Sequence, residues 1–113
     1  MIQNTFTYEA HGTTLVVHLP KELDHHNCRN LRYETDLLLS ENCINRVVFD
    51  FSKTEFMDSS GIGVLINRYK QMNGSGGKVT IYGAGKQIMR ILNIGGIPKL
   101  VGLFDTKEAA LAG

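Results

Sequence analysis

The chain has 113 residues, with 12 lysines and arginines against 11 acidic side chains and a formal net charge of +1. A 42% hydrophobic and 20% charged composition excludes a disordered tract, and the length fits one domain able to bury roughly 65% of its unfolded surface. Near-neutral charge without a basic stripe argues against a nucleic-acid surface, which needs many phosphate contacts. Two cysteines, Cys28 and Cys43, are too few for a disulfide framework and suit a reducing compartment. The first residues, Met1-Ile2-Gln3-Asn4-Thr5, have neither the basic nor the apolar part of a signal peptide, and no apolar run reaches the length of a membrane span. The expected location is the cytoplasm.

Two strands are predicted first, Thr5 to Tyr8 and Thr14 to Leu19, joined by His11-Gly12-Thr13 as a hairpin. In the second, Leu15, Val17 and Leu19 alternate with Val16 and His18, the period of a half-buried strand, and Pro20 ends it. Asp24 can cap a helix over about His25 to Asn42 whose inner face carries Cys28, Leu31, Leu38 and Asn42, with Thr35 and Leu39 beside them. Arg46 to Phe51 is short, β-branched and almost continuously apolar, as a central parallel strand is. Ser52 to Phe56 is a connection. A second helix starts near Asp58-Ser59, with Ile62, Leu65, Ile66, Tyr69 and Met72 on one face, and the run Gly74-Ser75-Gly76-Gly77 stops it. Lys78 to Tyr82 is a further strand. Gly83-Ala84-Gly85 turns into a helix over about Lys86 to Asn93, which Gly95-Gly96 and Pro98 close. Leu100 to Phe104 is the last strand, and Asp105 with Glu108 forms an Asp variant of the capping box for a short final helix. The order β-β-α-β-α-β-α-β-α implies an α/β domain, with a mixed, mostly parallel sheet of about five strands and about four helices.

The segment Phe56-Met57-Asp58-Ser59-Ser60-Gly61-Ile62-Gly63 lies at the strand-to-helix junction where parallel sheets build their sites. Its serines occupy the first helical turn, where free N–H groups and the positive end of the dipole favour an anion. Gly61 and Gly63 together cost about 2 kcal/mol relative to alanine inside a helix. Either the backbone packs tightly against its neighbours or something approaches it from outside. Ordinary capping with tight helix–strand packing would also account for the segment. Met57 and Ile62 flank the serines. The helical period puts Ile62 on the core face, and Met57 fits either the core or an exposed anchor.

This segment, with Glu22-Leu23-Asp24 upstream, the strand Val47-Val48-Phe49-Asp50-Phe51 and the following Arg68-Tyr69-Lys70, resembles a STAS domain of the bacterial anti-sigma-factor antagonist kind. The likeness runs from about Thr5 to Leu111. It implies a single STAS-type domain over 1–113, monomeric when free, that regulates transcription in sporulation or stress and is not itself an enzyme. It implies that Ser59, first serine of the Asp-Ser-Ser-Gly motif, accepts a phosphoryl group from ATP through an anti-sigma factor that is a serine kinase. The unphosphorylated form would bind that factor and free the sigma factor, and a serine phosphatase would reset the switch. Asp24, Asp58, Ser60, Gly61, Ile62 and Gly63 would form the partner face, with no cofactor, metal, nucleic acid or membrane involved. A phosphate on Ser59 would gain about 0.3–1 kcal/mol from the helix start while Asp58, and Asp24 if close, repel it, so little refolding is expected.

Other chemistries fit less well. Zinc would need His25, Cys28 and perhaps Cys43, which lack paired ligand spacing. A hydrolase elbow needs G-x-S-x-G, yet Met57 stands at the first glycine and His11, His18, His25 and His26 all precede the serine. Gly83-Ala84-Gly85-Lys86 fails the phosphate-loop pattern, with Thr80 and Gln87 at its required positions. It is a tight turn, and in the family this loop lies near the phosphoacceptor. A STAS scaffold in a larger signalling complex, or the cytosolic domain of an anion transporter, are the alternatives of other classes.

Overall fold

The computed structural model describes residues 6–113. A five-stranded sheet runs in the order β1-β2-β4-β6-β7. Its strands are β1 (Thr7–His11), β2 (Thr14–His18), β4 (Arg46–Asp50), β6 (Lys78–Tyr82) and β7 (Gly102–Phe104). β1 pairs antiparallel with β2, and every other neighbour is parallel. The helices α1 (His25–Glu41), α2 (Ser59–Gly74) and α3 (Lys86–Ile94) make the crossovers, and α4 (Lys107–Ala112) closes the chain.

Alternation along the strands divides the core between two faces. Leu15, Val17, Val47, Phe49, Val79 and Ile81 join Leu31, Leu65 and Leu92 of the first three helices in the main core. Val16, Val48 and Tyr82 point the other way, onto Ala110 of α4. Both sides of β4 are therefore covered, which explains its unbroken apolar run.

Several boundaries differ from expectation. β1 reaches His11 because the hairpin needs only two turn residues, Gly12 in the left-handed region (φ 61°) and Thr13; Thr5 lies outside the described residues. Asn42 does not share the buried face. It is exposed at the end of α1, where its side-chain amide donates to the Leu38 carbonyl at 2.9 Å. On α2 the buried line is Gly61, Val64, Leu65, Arg68 and Met72, while Ile62, Ile66 and Tyr69 are only partly covered. Pro98 sits in a 3-10 turn, Ile97–Lys99, so β7 begins at Gly102 and not at Leu100. Thr106, not Asp105, caps α4, its hydroxyl accepting from the Ala109 N–H at 3.2 Å.

The segment after Pro20 and the connection after Phe51 each form a short strand. These are β3 (Glu22–Leu23) and β5 (Phe56–Met57), paired in parallel as a second, two-stranded sheet. The Thr54 hydroxyl donates to the Pro20 carbonyl at 2.8 Å and the Glu55 N–H to the Lys21 carbonyl at 2.7 Å. This small sheet sets the starts of α1 and α2 side by side.

Candidate functional site

The register Glu22 to Phe56 and Leu23 to Met57, carried one residue further, sets the cap Asp24 beside the cap Asp58. Asp24 begins α1 with a reciprocal box: its carboxylate accepts from the Asn27 N–H at 3.0 Å, and the Asn27 side-chain oxygen accepts from the Asp24 N–H at 2.9 Å. The Asn27 amide also donates to the Glu22 carbonyl at 2.7 Å, which fixes the cap to β3. Asp58 does more than cap its own helix. One carboxylate oxygen accepts from the Ser60 N–H at 2.8 Å, and the other accepts from the His25 N–H of α1 at 3.1 Å. A single carboxylate thus joins two helix N-termini, each with its positive dipole end directed at it.

Ser59 is the first residue of α2 and is exposed, while Ser60 is half-buried. The glycines differ. A Cβ on Gly61 would stand 2.5 Å from Met57 Cγ and Sδ and 3.1 Å from a Leu23 methyl, so Gly61 is the contact by which α2 lies on the small sheet. Gly63 is exposed, and none of the described residues comes within 4 Å of where a Cβ would be. Met57 is buried core, 2% exposed. Ile62 is half-buried and leans across Gly95, where a Cβ would meet it at 2.8 Å.

Asp24, Asp58, Ser59, Ser60, Ile62 and Gly63 therefore lie at one end of the molecule, and Gly61 supports them from beneath. Gly83 makes its turn at φ 80° against Ser52; α3, which follows, contacts β5. Cys28 is buried and Cys43 exposed. Burial, then the charges of Asp58 and Asp24, push the Cys28 thiol up to about 11, the reverse of what a thiolate ligand or nucleophile needs. Among the described residues no group of three or more His, Cys, Asp or Glu could hold a metal ion.

Sequence reasoning missed the wall that α1 supplies. An open groove of about 510 Å³ runs between α1 and α2, with Arg29, Arg32 and Tyr33 on one side and Ser60, Gly63 and Asn67 on the other. The available signal was the spacing of Arg29, Arg32 and Tyr33, which sets two cations and an aromatic ring along one side of α1. Arg68 was also missed as a core residue. It is 1% exposed, ion-paired to Asp36 of α1 and hydrogen-bonded to the Gln71 side chain at 2.6 Å.

With this geometry, the relatives fall into place. The chain belongs to the STAS domain family, whose pattern matches residues 5–110. It is 33% identical over 103 residues to an anti-sigma F factor antagonist of Paenibacillus polymyxa, covering 91% of this chain and 88% of that one. The fold matches SpoIIAA of Bacillus in its phosphorylated form with a TM-score of 0.77, at 23% identity over 96% of this chain and 97% of that one. It matches unphosphorylated SpoIIAA with the same TM-score, at 22% identity over 96% and 94%. Among the described residues no helix is long and apolar enough to cross a membrane.

Proposed function

We propose that this protein is an anti-sigma-factor antagonist switched by phosphorylation of Ser59. In this reading the unphosphorylated domain binds an anti-sigma factor that is also a serine kinase, and so releases a sigma factor. The kinase transfers the γ-phosphoryl group of ATP to the Ser59 hydroxyl, and a serine phosphatase removes it. The domain is the substrate of these enzymes and not an enzyme itself.

The observation that carries the reading is the exposed Ser59 hydroxyl at the first position of a helix whose start is held rigid by Asp58. A nucleophile presented on a fixed backbone can enter a kinase active site without the domain rearranging. The likeness to the Paenibacillus antagonist over nearly the whole chain supports the partner class. Asp24, Asp58, Ser60, Ile62 and Gly63 form the surrounding partner face, with Gly61 holding α2 down beneath it. Phosphorylation adds about −1.5 to −2 charges at a surface that must be desolvated on binding, which costs several kcal/mol when no partner charge answers it.

The test is intact mass with site mapping after incubation with ATP and a lysate of the host, for wild type, Ser59→Ala and Ser60→Ala. One phosphoryl addition, lost only in Ser59→Ala, is the expected result. Loss only in Ser60→Ala would keep the function and move the site. No addition to the wild type, beside a positive control, would favour an unphosphorylated STAS scaffold.

A further inference from the structure

We infer that the groove between α1 and α2 is a second part of the partner interface, and that it receives an acidic segment of the anti-sigma factor. The inference rests on the proposed antagonist function and extends its binding face from the serines onto α1.

Charge is the first reason. Asp36 is the one carboxylate among the residues that line the groove, and the two other carboxylates near its end, Asp24 and Asp58, are tied to helix starts and keep their charge there. Asp24 caps α1 and Asp58 holds both helix starts. Asp36, on the groove wall, pairs with the buried Arg68. Arg29 and Arg32 are exposed, and among the described residues no carboxylate lies within ion-pair distance of either. The α1 wall of the groove therefore presents two cations without an ion-pair partner, planar donors suited to a carboxylate, and a Tyr33 ring that is 64% exposed. Arg and Tyr are also the side chains that most often anchor protein interfaces.

Gly63 is the second, independent reason. Glycine inside a helix costs stability, and Gly61 has a packing reason for it that Gly63 lacks. Gly63 faces the groove, and its missing Cβ leaves the backbone of α2 open to close approach from outside. An acidic segment seated there lies one helical turn from Ser59, so a phosphate on Ser59 repels it directly. The groove thereby couples the switch to affinity through charge alone.

The experiment measures affinity for the host's purified anti-sigma factor kinase at low salt and at about 0.5 M salt, where the screening length falls to a few ångströms. The variants are the double charge reversal Arg29→Glu/Arg32→Glu, the single Gly63→Ala, and a charge-matched control, Arg90→Glu/Lys99→Glu, exposed on α3 and the 3-10 turn after it and outside the groove lining. We expect the double reversal to weaken binding about tenfold or more at low salt, with a much smaller difference at high salt and an unchanged melting temperature. Gly63→Ala should weaken binding while melting at the same temperature or higher. Wild-type binding that neither variant alters, or that the control alters equally, overturns the inference and leaves the antagonist function standing. Absence of wild-type binding overturns both.

Discussion

At the scale of single residues, Asp58 is the side chain that ties the starts of α1 and α2 together. Its carboxylate accepts from N–H groups of two helices, so an uncharged, shorter side chain leaves both donors without that partner. Asp58→Ala should lower stability by about 1–2 kcal/mol, read as a fall in the urea midpoint. The two glycines predict opposite outcomes. Gly61→Ala drives a methyl into the buried Met57 and should cost about 1–3 kcal/mol. Gly63→Ala meets open space and should raise stability by up to about 1 kcal/mol. Melting curves of the pair decide whether the two glycines serve different purposes. If both destabilise, Gly63 belongs to the fold after all.

At the scale of elements, α1 and α2 are joined at one end by Asp58 and further along by the Arg68–Asp36 pair. Arg68 is 1% exposed, and among the described residues its Nε has no hydrogen-bond partner. Asp36 is about half exposed, so the ion pair is already partly screened by water, and an amide at 36 keeps an oxygen that can accept from the guanidinium. Asp36→Asn should therefore cost only about 1–2 kcal/mol. Arg68→Met, which removes the buried ion along with its need for a partner, should cost less than Arg68→Ala, which leaves a cavity. Chemical denaturation of the three variants tests the ordering.

A second polar device links the hairpin to α4. His18 of β2 hydrogen-bonds Asp50 of β4 at 2.6 Å and also Glu9 of β1, and Lys107 of α4 lies 3.6 Å from Glu9. Burial opposes the charge on His18, but the bonds to Glu9 and Asp50 outweigh it and raise its pKa above 6.5. Bonds from His18 and His11 lower Glu9 to about 2. At Asp50 burial works upward, yet the Ser52 hydroxyl and N–H, with His18 and Tyr82, bring it below its usual 3.8. A raised histidine contributes stability that is complete below pH 6.5 and is lost as pH rises through its folded value. The lowered carboxylates contribute stability that is lost as pH falls through theirs. The cluster should thus stabilise most between about pH 4.5 and 6.5, with a decline as pH rises above 6.5. His18→Gln should flatten the melting-temperature profile above pH 6.5, and an unchanged slope would show that His18 is not its source.

At the scale of the whole molecule, phosphorylation should change the surface and leave the fold alone. The Ser60 N–H that could welcome a phosphate at the start of α2 is already taken by Asp58, and the Asp58 charge stands beside the new one. Attraction by the helix start and repulsion by the carboxylate are both on the order of 1 kcal/mol. The two forms should give superimposable circular dichroism spectra and melt within a few degrees, about what a 1 kcal/mol difference produces in a domain this size. A large shift would mean that the phosphate pulls the helix starts apart.

The element order, the parallel sheet and the strand-to-helix serine segment were legible in the sequence, because each rests on local signals. Val47-Val48-Phe49 reads as a covered strand by its composition, Asp24 and Asp58 as caps by their position, and Gly74 to Gly77 as a stop. The short strands Glu22–Leu23 and Phe56–Met57 were not legible, since two residues have no period and their pairing spans more than thirty positions. That pairing brings Asp58 to the N–H of His25 and sets Leu23 under Gly61, and the packing of α1 on α2 leaves Gly63 facing a groove. The buried Arg68 was hidden for the same reason: its partner Asp36 is on another helix. Capping and alternation act between residues a few positions apart and so are written along the chain. The charge pattern of the site arises between helix starts, and only tertiary packing decides which of its charges are answered.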